Sequence, residues 1–105
     1  MKVYISDPDL IDLKDGVKNR RYAKYAKNKK FMAGLYRVLD IMQRIEKANM
    51  LSIYSYLHYE KLIGNNKSSV RIVNGMVERL IFREIDDGVE IEIIELNTDH
   101  YGNKK

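Results

Sequence analysis

The chain has no cysteine, one proline and two histidines. Without cysteine there are no disulfide staples and no thiolate metal sites, and an oxidising, secreted life gains no support, so the cytoplasm is the expected location. The histidines, His58 and His100, stand alone with no His-Glu-x-x-His spacing, and no metal site is expected. The six glycines are scattered as turn residues and form no GxGxxG, P-loop or GxSxG pattern. Nucleotide-cofactor and serine-hydrolase chemistry are therefore poor readings, and no cofactor is expected. No apolar run approaches the roughly 20 residues that span a bilayer. The opening "MKVYISDPDL" also lacks the apolar stretch and cleavage site of a signal peptide, so the expectation is a soluble, unprocessed protein with no membrane partner.

What is present describes a folded domain. Across 105 residues, 45% hydrophobic and 32% charged, there is room for one modest core and no second one, which gives a single domain over 1–105. The net charge of +4 hides a segregation of sign. Residues 14–30, "KDGVKNRRYAKYAKNKK", hold eight Lys or Arg against one Asp, and residues 77–99 hold eight acidic side chains against two arginines. A basic block that interleaves Arg20, Arg21 and Lys24 with Tyr22 and Tyr25 suits phosphates and stacked bases; a solvated helix face carries the same composition.

Hydrophobic periodicity divides the chain into helices followed by a sheet. "MKVYIS" alternates and reads as an edge or added strand. Asp7 or Asp9 can cap a short helix through about Leu13, with Pro8 in its first turn and Asp15-Gly16 at its end. The strongest helix spans about 28–48, capped by Asn28, with Phe31, Leu35, Val38, Leu39, Met42 and Ile45 in one stripe and Asp40 four residues before Arg44. Ser52 would cap a further helical or irregular segment that Gly64 closes. From residue 68 the period becomes two. "SSVRIV", "MVERLIFREI" and "VEIEIIEL", punctuated by Asn74-Gly75 and Asp86-Asp87-Gly88, predict a three-stranded antiparallel meander, with a bulge or a fully buried stretch at Ile93-Ile94. The fold class is α+β, N-terminal helices packed on a small antiparallel sheet.

Alternation places Leu80 and Phe82 on one face of the middle strand and Arg79, Ile81 and Arg83 on the other. If the long helix covers the Leu80 side, both arginines project from the opposite face, where they could meet a phosphate or pair across strands with Glu90 or Glu92. Asp99, His100 and Tyr101 follow the last strand as "TDHYG", a frayed end or a proton-transfer cluster.

The order of elements, with "LIG" before a Ser-Val-Arg-Ile strand, Asn-Gly before an Arg-Leu-Ile-Phe strand, and a terminal Asp, His and Tyr cluster, resembles the RelE/ParE superfamily of bacterial toxin–antitoxin toxins. Within it the chain looks most like the HigB-like plasmid-maintenance killer group, over about residues 30–102. The resemblance implies a RelE-like toxin fold that cleaves mRNA, commonly on the ribosome, without metal. In that chemistry a 2′-hydroxyl attacks the adjacent phosphate. It implies a cognate antitoxin partner, and operator DNA bound only through the antitoxin complex. By position, Arg79 matches the phosphate-stabilising arginine, His100 and Tyr101 the proton-transfer or stacking groups, and Asp99 their acidic neighbour. Arg71 and Arg83 are RNA-binding candidates with Arg20, Arg21 and Lys24. The family's Leu-Lys-Gly reads Leu62-Ile63-Gly64 here, so Lys61 or Lys67 takes the lysine's role. The ParE branch, which poisons DNA gyrase, implies instead a protein target and no RNA cleavage.

Overall fold

The computed structural model describes residues 1–64 and 66–98. Strand β1, Lys2–Ile5, is followed by helices α1, Pro8–Asp15, α2, Ala23–Ala26, and α3, Lys29–Arg44. Two 3-10 turns, Ala48–Ile53 and Ser55–Leu57, lead into β2, Glu60–Lys61, β3, Lys67–Arg71, β4, Arg79–Ile85, and β5, Glu90–Asn97. The sheet order is β1-β5-β4-β3-β2. The meander is antiparallel as expected, but β1 joins it parallel to β5, with Val3 beside Ile91 and Ile5 beside Ile93, so the sheet is mixed.

The helices begin where the sequence places their caps. Asp7 accepts from the Asp9 amide at 3.0 Å with Pro8 in the first turn, and Gly16, at φ 76°, closes α1 in the left-handed region. The Asn28 side chain accepts from the Phe31 amide, and the α3 stripe of Phe31, Leu35, Val38 and Met42 is buried. That stripe packs on Val70, Leu80, Phe82, Ile91, Ile93 and Leu96, which form the helix-covered face of the sheet. Asp40 and Arg44 pair at 3.0 Å, but both are exposed, which limits the pair to about 0.3–0.5 kcal/mol.

Three expectations are corrected. The long helix ends at Arg44 and not near residue 48: Ile45 turns extended to bury its side chain, and the α-amino group of Met1 donates to the carbonyls of Gln43 and Ile45. Ser52 caps nothing. Its hydroxyl donates back to the Asn49 carbonyl, and the segment forms two 3-10 turns that bury Ala48, Leu51 and Leu57. Nor does Asn74-Gly75 make a tight hairpin. Arg71 pairs with Arg79, leaving residues 72–78 as a long loop whose Ile72 and Val73 leave the sheet to enter the core against α3. By contrast, the slip at Ile93-Ile94 is a bulge: Ile81 faces Glu95 and Phe82 faces Ile93, leaving Ile94 unmatched.

Asp7 also ties α1 to α2. It is buried, and its second carboxylate oxygen accepts from the Tyr22 hydroxyl at 3.2 Å and from Arg21 at 3.3 Å. Asp7→Ala removes a cap and part of the buried tyrosine's satisfaction, so urea unfolding should show a loss of about 2 kcal/mol. An unchanged midpoint would mean that the cap is redundant.

Candidate functional site

The face of the sheet opposite the helices carries the cations. Because β3 and β4 are antiparallel with Arg71 opposite Arg79, Ser69 opposite Ile81 and Lys67 opposite Arg83, all six side chains project from that face. Two like-charge pairs thus face each other directly across two strands. Like charges directly opposite destabilise a sheet, and here Glu60 beside Arg79 and Glu92 beside Arg83 offset part of that repulsion. Between them lies Ile81, 3% exposed yet outside the core cluster that the helices form, as an apolar floor between the basic pairs.

Arg79 is the most enclosed of the cations in ion pairs, its side chain 14% exposed. It donates to the Glu60 carboxylate at 3.1 Å and to the Ser69 hydroxyl at 3.4 Å. Glu60 reaches it because β2, though only two residues long, pairs Glu60 with Ser69 and so aims that carboxylate across β3. Sequence reading missed Glu60. The signal was the strand period itself, since Glu60 and Lys61 must point to opposite sides, but a two-residue strand shows no periodicity. Arg71 donates to the Met76 carbonyl at 2.7 Å and forms no ion pair among the described residues. Arg83 pairs with Glu92 at 3.2 Å, one of the two cross-strand partners the sequence allowed.

The loop between Arg71 and Arg79 is pinned to the helical layer. Gly34 on α3 lies so close that an added Cβ would stand 2.6 Å from the Ile72 carbonyl oxygen. Glu78, buried immediately before Arg79, accepts from the Tyr25 hydroxyl at 2.9 Å, and its other oxygen has no partner among the described residues. Burial, then this carboxylate, pushes the Tyr25 hydroxyl up to about 12. The aromatic rings of the basic block are accordingly structural. Tyr22 and Tyr25 are 2% and 5% exposed, so neither offers a face to a base.

The remaining sequence candidates lie elsewhere. Arg20, Arg21 and Lys24 belong to the α1–α2 connection and α2, not to the sheet face; Arg21 is held by Asp7 and Asp9, and Lys24 lies over the Tyr25 ring. Lys61 points to the helix-covered side, where it pairs with Glu84 at 3.3 Å. Asp99, His100 and Tyr101 lie outside the described residues. Glu84 also accepts from the Tyr59 and Ser68 hydroxyls. Its burial acts to raise its pKa, but these three donors outweigh that and hold the carboxyl below its ordinary range. A depressed folded-state value stabilises the fold above the unfolded pKa and loses that contribution as pH falls through the folded one. Tyr59→Phe should therefore flatten the acid limb of stability as pH falls below the ordinary carboxyl value of 4.5, read in urea titrations. An acid limb identical to wild type would remove Glu84 from this role.

No protein-family model and no curated protein sequence matches this chain. Solved structures do. A YoeB/ParE toxin from Agrobacterium tumefaciens superposes with a TM-score of 0.59 at 16% identity, covering 94% of this chain and 99% of that one. The YoeB-YefM complex from Staphylococcus aureus gives 0.56 at 21% identity over 96% of this chain and 98% of the other. The YoeB dimer from Staphylococcus aureus gives 0.54 at 21% identity with the same coverage. The chain has the YoeB/ParE toxin fold. This toxin fold is the α+β architecture read from the sequence, here with the parallel β1 added. The neighbours bear the YoeB and ParE names, so the HigB-like grouping gains nothing from them.

Proposed function

We propose that the chain is the toxin of a toxin–antitoxin pair and a metal-independent endoribonuclease acting on mRNA. The observation that carries the reading is the double like-charge pairing on the open sheet face, Arg71 with Arg79 and Lys67 with Arg83, beside the Glu60 carboxylate. Such a face is stabilised by a bound polyanion. A phosphate accepted between Arg71 and Arg79 would have its developing charge neutralised by two guanidinium groups on rigid strands. Glu60, already within hydrogen-bond reach of Arg79, is placed to take the proton of an attacking 2′-hydroxyl. The leaving 5′-oxygen needs an acid, and His100, Tyr101 or Asp99 is the proposed source. Lys67 and Arg83 would hold the flanking phosphates. The fold shared with a YoeB-YefM complex supports a cognate antitoxin as partner, with operator DNA met only through that complex.

The chemistry fixes the products. Attack by the 2′-oxygen leaves a 2′,3′-cyclic phosphate on one fragment and a 5′-hydroxyl on the other. Induced expression should arrest growth and generate mRNA ends of that kind. Purified protein should make them on ribosome-bound mRNA with only the magnesium that the ribosome itself requires and no other divalent metal. The ParE name of one neighbour, together with an Arg79 already ion-paired to Glu60, favours as second reading a protein target such as gyrase. Growth arrest with intact mRNA would select it.

A further inference from the structure

We propose that Asn74 is a modification site: the Gly75 backbone nitrogen displaces its side-chain amide, and the isoaspartate that results loosens Arg71 on the cationic sheet face. Asn74 is the chain's only asparagine followed by glycine. Both residues are exposed, and they form the centre of a turn that the Met76 amide closes by donating to the Val73 carbonyl at 3.0 Å. Gly75 has φ 92°, and an added Cβ there would meet nothing within 4 Å, so no neighbour obstructs ring closure. Its amide donates to no backbone acceptor among the described residues, and glycine has no side chain to shield the nitrogen. His58 Nε2 lies 3.3 Å from Asn74 Oδ1. Because Oδ1 can only accept, Nε2 carries the hydrogen, and that bond draws electrons from the carbonyl carbon under attack.

The Gly75 nitrogen forms a bond to Asn74 Cγ, the bond from Cγ to the side-chain nitrogen breaks, and that nitrogen leaves as ammonia with the Gly75 proton. Water then opens the five-membered succinimide at either of its carbonyls. One opening gives aspartate. The other gives isoaspartate, in which the backbone runs through Cβ and Cγ and is one atom longer. Both add a carboxylate to the loop that joins Arg71 to Arg79, but only isoaspartate lengthens it. The extra atom cannot be passed backwards, because Ile72 and Val73 are buried against α3 with the Ile72 carbonyl packed on Gly34. It is taken up ahead, at Met76, whose carbonyl accepts from Arg71 at 2.7 Å. Arg71 is therefore the cation that loses its anchor. The loss of cleavage rests on the endoribonuclease reading, whereas the modification itself does not.

The test incubates the full chain in mildly alkaline buffer and follows it by peptide mass mapping, with isoaspartate detected by an isoaspartyl methyltransferase. Asn74 should convert well ahead of every other asparagine, and Asn74→Gln, which would have to close a six-membered ring, should stay intact. His58→Ala should slow the conversion about fivefold, the worth of one ordinary hydrogen bond. The isoaspartyl fraction, separated by ion exchange, should show a displaced Arg71 side-chain NMR signal and cleave mRNA at least about tenfold more slowly. Asn74→Asp, which has the charge without the extra atom, should lose less. Conversion at Asn74 no faster than elsewhere would overturn the proposal, and so would an isoaspartyl fraction that keeps the Arg71 signal and the cleavage rate of the fresh protein. An unchanged rate in His58→Ala would remove the histidine from it. If the fresh protein cuts no RNA, the toxin reading fails by itself, and the modification is still decided by mass and by the Arg71 signal.

Discussion

Arg79→Ala is expected to lower the rate of mRNA cleavage by about 10²–10³-fold, the usual effect of removing one positioned donor to a developing anion. Stability should change by less than about 1 kcal/mol, because two effects oppose. The Glu60 pair is lost, but Glu60 is 55% exposed and water replaces its partner. The guanidinium that Arg71 faces across the strands is removed as well, which relieves a like-charge opposition. A wild-type urea midpoint with cleavage nearly abolished is therefore the signature of a functional arginine. Arg79→Lys should fall between, since lysine keeps the charge and loses the planar fork that can serve Glu60, Ser69 and a phosphate together. Arg83→Ala should cost only about tenfold, because Arg83 is half-exposed and already neutralised by Glu92, and its share is binding, not charge development. Retained cleavage in Arg79→Ala would remove the sheet face from the chemistry.

The parts of the fold that were legible are those where a local cause suffices. Asn28 and Asp7 cap helices because a short side-chain acceptor before an amphipathic run has one good use there. The period-two runs placed Arg79 and Arg83 on the face away from the helices, and the broken alternation at Ile93-Ile94 marked the bulge. Illegible were the features decided by contacts far apart in sequence. Nothing local says that β1 will pair parallel with β5 some ninety residues later. Asn-Gly promised a tight turn, but burying Ile72 and Val73 against α3 outweighed local turn chemistry and stretched the loop. Tyr22 and Tyr25 looked like stacking groups because they sit among lysines, yet the four-residue α2 and the residue just before it present them to the core. Glu60 shows the same limit at the site: its importance comes from Arg79, nineteen residues away, and no spacing rule joins them.

The other large effect concerns a residue with no side chain. Gly34→Ala would ordinarily stabilise the middle of a helix by about 1 kcal/mol. Here the new Cβ would stand 2.6 Å from the Ile72 carbonyl oxygen and 3.0 Å from a methyl of Val73. A methyl rotates away; a backbone carbonyl does not, so the loop itself must lift. Overpacking of that kind costs about 1–3 kcal/mol, which exceeds the helix gain, and a net loss of about 1–2 kcal/mol is expected in urea unfolding. Gly34→Val should lose more, since it adds bulk and a helix-unfavourable branch. Activity should suffer beyond stability. The lifted loop joins Arg71 to Arg79 and carries Glu78, whose bond to Tyr25 is its second anchor, so both guanidinium groups shift together. Cleavage should fall by about tenfold to a hundredfold under conditions where the variant is still folded, because misplacing charged groups by a fraction of an ångström to an ångström weakens transition-state contacts steeply. If Gly34→Ala instead raised the midpoint, the loop would be yielding at no cost, and the close packing of α3 on it could not be what fixes the distance between the two arginines.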